Sequence, residues 1–165
     1  MSIIELLQKE FEQEVQITRK MLSRVPNNNW DYRPHPKSMS MLSLTTHIAE
    51  LPSWITMAMT TSELDFEATP YNPRTIESTE DLLNLFEESV QAGRASLSSA
   101  TEEELQPTWV LRSGTTIHAT FTKYEVIRHS LAQTIHHRAQ LGVYLRLLDI
   151  PIPGSYGPSA DEQGF

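Results

Sequence analysis

Between positions 129 and 141 the chain reads HSLAQTIHHRAQL, which sets three histidines and two glutamines within thirteen residues. Such a run suits one of two tasks. It can supply imidazole and amide donors to a divalent ion, or it can form a polar, hydrogen-bonded face on a helix. The 165-residue sequence contains no cysteine. Disulfides, thiolate-metal centres and cysteine nucleophiles are therefore excluded, and any ion must be held by histidine, carboxylate or amide oxygen.

Projected at about 100° per residue, the run is not one cluster. Gln133 and His137, four apart, lie on one face, one turn above the other. His137 falls beside Leu141, nearest the apolar stripe. His129 and His136 share a neighbouring strip and point further round, so they are expected to be bystanders. A pair four residues apart on a helix is the spacing that lets two side chains chelate one ion. A third donor must then come from another helix, and His47, which interrupts an apolar stripe there, is the candidate. A buried imidazole needs partners for its ring nitrogens, and a metal, a glutamine or a backbone carbonyl each serves. A lone helical histidine is more often structural, and the Gln133/His137 spacing also arises by chance. His35 and His118 fall in a loop and a hairpin and carry no argument.

The elements that must position these residues are helical. Ile4, Leu7, Phe11, Thr18, Met21, Leu22 and Val25 recur at helical spacing until Pro26. A second helix begins near Ser38 or Ser40, both good N-caps, with Leu44, Ile48, Leu51, Ile55 and Ala58 as its stripe. Pro52 lies inside it and predicts a kink or an early stop. A polar, proline-containing connection of about twenty residues follows, longer than antiparallel neighbours need. A third helix starts at Ser78 or Thr79 and buries Leu82, Phe86, Val90 and Leu97, with Gly93 placed for close packing. Thr101 and Glu104 suggest a one-turn helix. PTWVLRSGTTIHATF alternates around Ser113-Gly114 and predicts a small hairpin. A fourth helix opens on the capping box of Thr122 and Glu125 and runs to about Asp149, before Pro151 and Pro153. Residues 150–165 read as an extended Pro/Gly-rich tail. The expected fold is an all-α four-helix bundle, a single domain over residues 1–165, with a long crossover between helices two and three and a small hairpin before helix four.

Composition narrows the function. The formal net charge is -8 and the pI about 5.2, which disfavours nucleic acid as a partner. No run approaches the length of a membrane span, and the acidic, amphipathic N-terminal stretch lacks the features of a signal peptide. A soluble cytoplasmic protein is expected, with no nucleic-acid or membrane partner.

With these residues in place, the chain resembles the DinB-like (damage-inducible, YfiT-type) family. The resemblance rests on WDYRPHPKSMSMLSLTTHIAELPSW (30–54), HHRAQLGVYLRLLDIPIPG (136–154) and YGPSADE (156–162). It implies an up-down-down-up bundle, often a homodimer, with a divalent metal at one end of the core. It also implies three histidine ligands, one on the second helix and two, four apart, on the fourth. Two of these positions fall on His47 and His137. The third falls on Gln133, a departure from the family pattern.

An amide oxygen is a harder and weaker ligand than imidazole for zinc or nickel. Three outcomes follow: the ion persists on His47, Gln133 and His137 with waters; it binds weakly; or the site is lost and Gln133 hydrogen-bonds the histidines. Two functions are carried forward. One is a metal-dependent thiol S-transferase or related hydrolase, acting on a small-molecule thiol in stress or detoxification. Trp54 would then wall the pocket, and Glu50 could orient a ligand, although a solvated role is the commoner one for such a residue. Tyr144 is read as a core tyrosine. The other is a non-catalytic, stress-associated dimeric bundle with a degenerate or empty site.

Overall fold

The computed structural model describes residues 1–163; the last two positions of the expected tail, Gly164 and Phe165, lie outside the described residues. Five α-helices and a small sheet follow one another as α1 (Ile3–Leu22), α2 (Met41–Glu50), α3 (Ser53–Thr60), β1 (Glu63–Asp65), α4 (Thr79–Ser99), a 3-10 turn (Glu103–Leu105), β2 (Thr108–Ser113), β3 (Thr116–Thr122) and α5 (Lys123–Leu147).

Caps fix the helix starts. Ser40 and Ser78 accept from the backbone N–H groups of Ser43 and Asp81. Ser2 with Glu5, and Thr122 with Glu125, form reciprocal capping boxes. Each satisfies donors that the first helical turn leaves unpaired. α5 ends in a Schellman motif, in which Ile150 N–H donates to the Leu145 carbonyl and Asp149 N–H to that of Arg146. Asp149 holds φ at 56° there, in the left-handed region that this motif requires.

Cross-links between helices give their directions. Arg94 pairs with Glu12 and Arg19 with Glu87, so α1 and α4 are antiparallel. Arg128 meets Glu10, and Arg138 meets Glu14 and Thr18, so α1 and α5 run together. Lys123 donates to the Met59 carbonyl, Ser130 to that of Leu51, and Gln133 meets His47; α2 and α3 thus run against α5. α1 and the α2–α3 pair each pack on α4 and α5, which places them on opposite corners.

Pro52 divides the second helix in two, the kink or early stop expected of it, and the helix count of four becomes five. Pro52 has no N–H to give the Ile48 carbonyl; the backbone stays helical through Leu51 and Pro52 but restarts as α3. Gly93 accommodates the break, because a Cβ there would lie 2.6 Å from the Pro52 carbonyl oxygen. The chain is also not the all-α four-helix bundle expected, because a three-stranded mixed sheet of order β1-β2-β3 flanks the helices. β2 and β3 form an antiparallel hairpin with a bulge at Leu111/Arg112. Gly114 turns it with φ +54°, the positive φ that the primed hairpin turns demand. Glu63–Asp65, expected to be loop, pairs in parallel with Val110–Arg112. Asp65 secures this edge by accepting from Gly114 N–H and pairing with Arg112. Trp109 carries the sheet onto the helical core; it is 1% exposed and donates its indole N–H to Thr61.

Candidate functional site

The site is built where α2 crosses α5. Leu44, Ile48 and Leu51 are fully buried and fix the face that α2 turns inward; His47 stands beside them at its edge. On α5 the same is done by Ser130, Leu131, Thr134 and Arg138, all buried, between which Gln133 and His137 are half-buried. The structure therefore brings the three residues singled out from sequence together. Gln133 Oε1 is 3.1 Å from His47 Nε2 and 3.0 Å from His137 Nε2. The two imidazoles meet edge to face, with centroids 4.8 Å apart.

Two further residues complete the set. Gln133 Nε2 is 2.8 Å from His129 Nε2, and His129 lies against Phe121 of β3, ring centroids 5.7 Å apart. His137 Nδ1 is 2.8 Å from Gln140 Oε1. His129, read as a bystander, is thus a partner of Gln133. The signal for it was its own spacing of four from Gln133, the same spacing that drew attention to His137. Gln140 is three residues beyond His137, again within one helical turn. His136 is exposed and touches the site only by packing its ring on that of His137, at 4.9 Å. His35 binds the backbone of Lys37, and His118 pairs with Ser113 on the hairpin; neither is hydrogen-bonded to the cluster on α5.

Proton bookkeeping sharpens the geometry. Burial pushes the pKa of His137 below the ordinary histidine value; its contact with Gln140 opposes this, and nearby His47 and His136 reinforce it. The ring is neutral at pH 7 and carries one proton. It nevertheless faces an amide oxygen at each nitrogen, so one of the two amides must turn its NH2 toward the ring. If Gln140 keeps its oxygen on Nδ1–H, the Nε2 lone pair of His137 is directed at the point that His47 Nε2 also faces. Turning the Gln133 amide then satisfies every contact at once, with NH2 shared by the two Nε2 atoms and oxygen toward His129.

That tautomer is the one a metal ligand needs, with the second ring N–H held by a carbonyl. Donor atoms about 3 Å apart are also spaced as neighbouring ligands on one ion with bonds of about 2.1 Å. Two imidazole nitrogens and an amide oxygen fit a borderline ion such as zinc or nickel. The set is lean: among the described residues, no group of three or more His, Cys, Asp or Glu is placed to hold an ion.

Both His47 and Gln133 open onto a cleft of about 870 Å³ between α3, α4 and the connection after β1. Trp54, Met57, Leu64, Phe66 and Leu85 line it. Glu50, one turn beyond His47, does not reach the histidines; its carboxylate accepts from the Tyr71 hydroxyl at 2.8 Å. Burial, with the Glu50 carboxylate beside it, pushes the Tyr71 phenol up to about 12, so it remains a donor throughout the physiological range. Tyr144 is buried, donates to the Met39 carbonyl and packs edge-on to Tyr32; it is core.

Behind the site, Arg138 is 2% exposed and Glu14 4% exposed. Arg138 donates to Glu14 at 2.6 Å and to Thr18 at 2.9 Å, and the Tyr156 hydroxyl joins them, 2.7 Å from Arg138 and 2.8 Å from both Glu14 oxygens. The tail is fastened alongside by Arg24 to Glu162 and Arg146 to Asp161. From sequence alone, Glu14, Arg138 and Tyr156 carry no assigned role.

The family model described as the DinB family matches residues 1–163. The chain belongs to the DinB family. This DinB-family chain is similar in structure to a DinB-like protein (YjoA) from Bacillus subtilis, with a TM-score of 0.71, 18% identity, and coverage of 96% of this chain and 99% of that one. A DinB-like protein from Bacillus cereus gives 0.70 at 17% identity, covering 91% and 95%. A mycothiol-dependent maleylpyruvate isomerase gives 0.63 at 18% identity; the match covers 86% of this chain and 61% of that larger protein. At such identities the likeness is one of fold. Comparison with curated proteins finds no match. Among the described residues, no helix is long and apolar enough to cross a membrane.

Proposed function

We propose that this DinB-family protein is a metal-dependent thiol S-transferase or related hydrolase, with His47, Gln133 and His137 holding a divalent ion, zinc or nickel, at the inner end of the cleft. The observation that carries the reading is the convergence of His47 Nε2 and His137 Nε2 on Gln133 Oε1 at the cleft wall. A bound ion with an open position would lower the pKa of a thiol there and favour the thiolate. The chain's own groups prepare the place. Gln140 fixes the His137 ring by its Nδ1 proton, and His129 fixes the Gln133 amide. Trp54 and Met57 line the apolar side of the cleft, where the electrophile would lie. A thiol-dependent enzyme among the structural relatives is in keeping with this reading.

One observation favours a second reading, a non-catalytic dimeric bundle. The Gln133 amide can satisfy His47, His129 and His137 by hydrogen bonds alone, so the cluster is stable as a purely structural network. Metal analysis separates the two. Protein dialysed against zinc or nickel is expected to retain about one ion per chain, and His47→Ala and His137→Ala are each expected to lose it. No binding even in excess zinc would leave only the structural network.

A further inference from the structure

The cleft carries a charge pattern of its own. Two carboxylates, Glu50 and Glu88, lie on its wall, and among the described residues no lysine or arginine lines it. Arg74, which is not among the lining residues, pairs with Glu88 at 2.9 Å. Glu50 uses Oε2 for Tyr71, and its Oε1 accepts from no other side chain among the described residues. Three aromatic rings, Trp54, Phe66 and Tyr71, line the same cleft, Tyr71 in contact with Glu50, and such ring faces attract cations. Tyr71, held protonated, adds no charge.

We propose that the cleft takes a small organic ammonium with an apolar or aromatic body, its nitrogen at Glu50 and its body on Trp54 and Met57, and that it rejects carboxylates. Maleylpyruvate, named for one structural relative, is an acid, and no lining cation here would receive it. The proposal rests on the cleft being the substrate site of the function proposed above, but not on the ion.

The test uses three ligands that share a phenylethyl body, 2-phenylethylamine, 2-phenylethanol and 3-phenylpropionate. Each is titrated into the full chain after chelator treatment and again with zinc, with binding followed by calorimetry and by the Trp54 indole N–H resonance. The amine is expected to bind about tenfold tighter than the alcohol, with the acid weakest. In Glu50→Gln the amine and alcohol should come within about twofold. Should Glu50→Gln fail to fold, Asn72→Lys, an exposed change on the same wall, should shift preference toward the acid. The proposal is overturned if the acid binds as well as the amine, if the amine preference survives Glu50→Gln, if Asn72→Lys leaves the order unchanged, or if none of the three binds. Loss of metal binding with the charge preference intact would overturn only the metal-dependent function.

Discussion

His129 and Gln133, one turn apart on α5, are joined Nε2 to Nε2 at 2.8 Å. The contact decides which way the Gln133 amide faces. With an ion bound, its nitrogen would rest on His129 and its oxygen would face His47 and His137; without one, the oxygen turns to His129. Replacing His129 by Ala should therefore weaken zinc binding by roughly 10–100-fold, the usual effect of losing a group that orients a ligand. Gln133→His, by exchanging an amide oxygen for imidazole, should tighten it by roughly tenfold or more, about 1.4 kcal/mol. Competition titrations with a zinc chelator measure both. An unchanged affinity in Gln133→His would mean that position 133 does not face the ion.

Acid should act on His137. Its folded pKa lies below the ordinary value of about 6.5. Between the two values the unfolded chain binds more protons, so stability rises with pH across that window. The contribution is complete above about pH 6.5 and is lost as pH falls toward the folded pKa. Urea midpoints between about pH 5 and pH 8 should show this slope in the wild type, and a smaller one in His137→Asn. Equal slopes would count against the burial argument.

The buried pair of Glu14 and Arg138 should be costly to halve. Glu14→Met or Arg138→Met leaves the partner's charge buried and uncompensated, and each should cost about 3–5 kcal/mol. The double variant Glu14→Met/Arg138→Met should cost clearly less than the sum, because no charge is then stranded. Tyr156→Phe should cost about 1–3 kcal/mol through the acceptors it leaves unpaired. Denaturant unfolding of the four variants checks the pattern, and strict additivity would contradict it.

Asp149 adopts the left-handed conformation at the end of α5, which costs a residue with a Cβ roughly 1 kcal/mol. Asp149→Gly should raise stability by up to about 1 kcal/mol, since glycine is the usual occupant of this place. A lower thermal midpoint would show that the aspartate side chain contributes more than the backbone loses.

Gly93 should resist replacement although alanine is the better helix former by about 1 kcal/mol. The added methyl would meet the Pro52 carbonyl oxygen at 2.6 Å, and backbone cannot turn aside. Gly93→Ala should lose about 1–3 kcal/mol, as overpacked cores do. Calorimetric melting tests it; neutrality would mean that α3 and α4 part without penalty.

Helices were legible because caps and apolar spacing are local. Ser40, Ser78 and Thr122 lie next to the runs they start, and Pro52 announces its own break. β1 was not legible, since Glu63–Asp65 is too short to show alternation and its pairing with Val110–Arg112 depends on a segment about fifty residues away. The all-α reading failed for the same reason. His47, Gln133 and His137 could be singled out because helical projection treats polar residues at an apolar edge as conspicuous. His129 escaped because the projection ranks residues by the core they face, whereas a hydrogen bond along one helix needs only the spacing of four. The partnership of Arg138, Glu14 and Tyr156 escaped because a charge is read as solvated until its counter-charge on another element is known.

Arg138 follows His137 directly, and neighbouring residues on a helix diverge by about 100°. Glu14 and Tyr156 draw the guanidinium toward α1, which adds to the buried Leu131, Leu141 and Leu145 in holding the rotation of α5 about its own axis. In that rotation the His137 ring meets His47 of α2. A ribosome-bound chain that has not yet released Tyr156 holds both histidines but only part of the clasp that orients one of them. The clocking of the histidine pair is thus acquired only after α5 itself has been made, through a residue on another face of the helix.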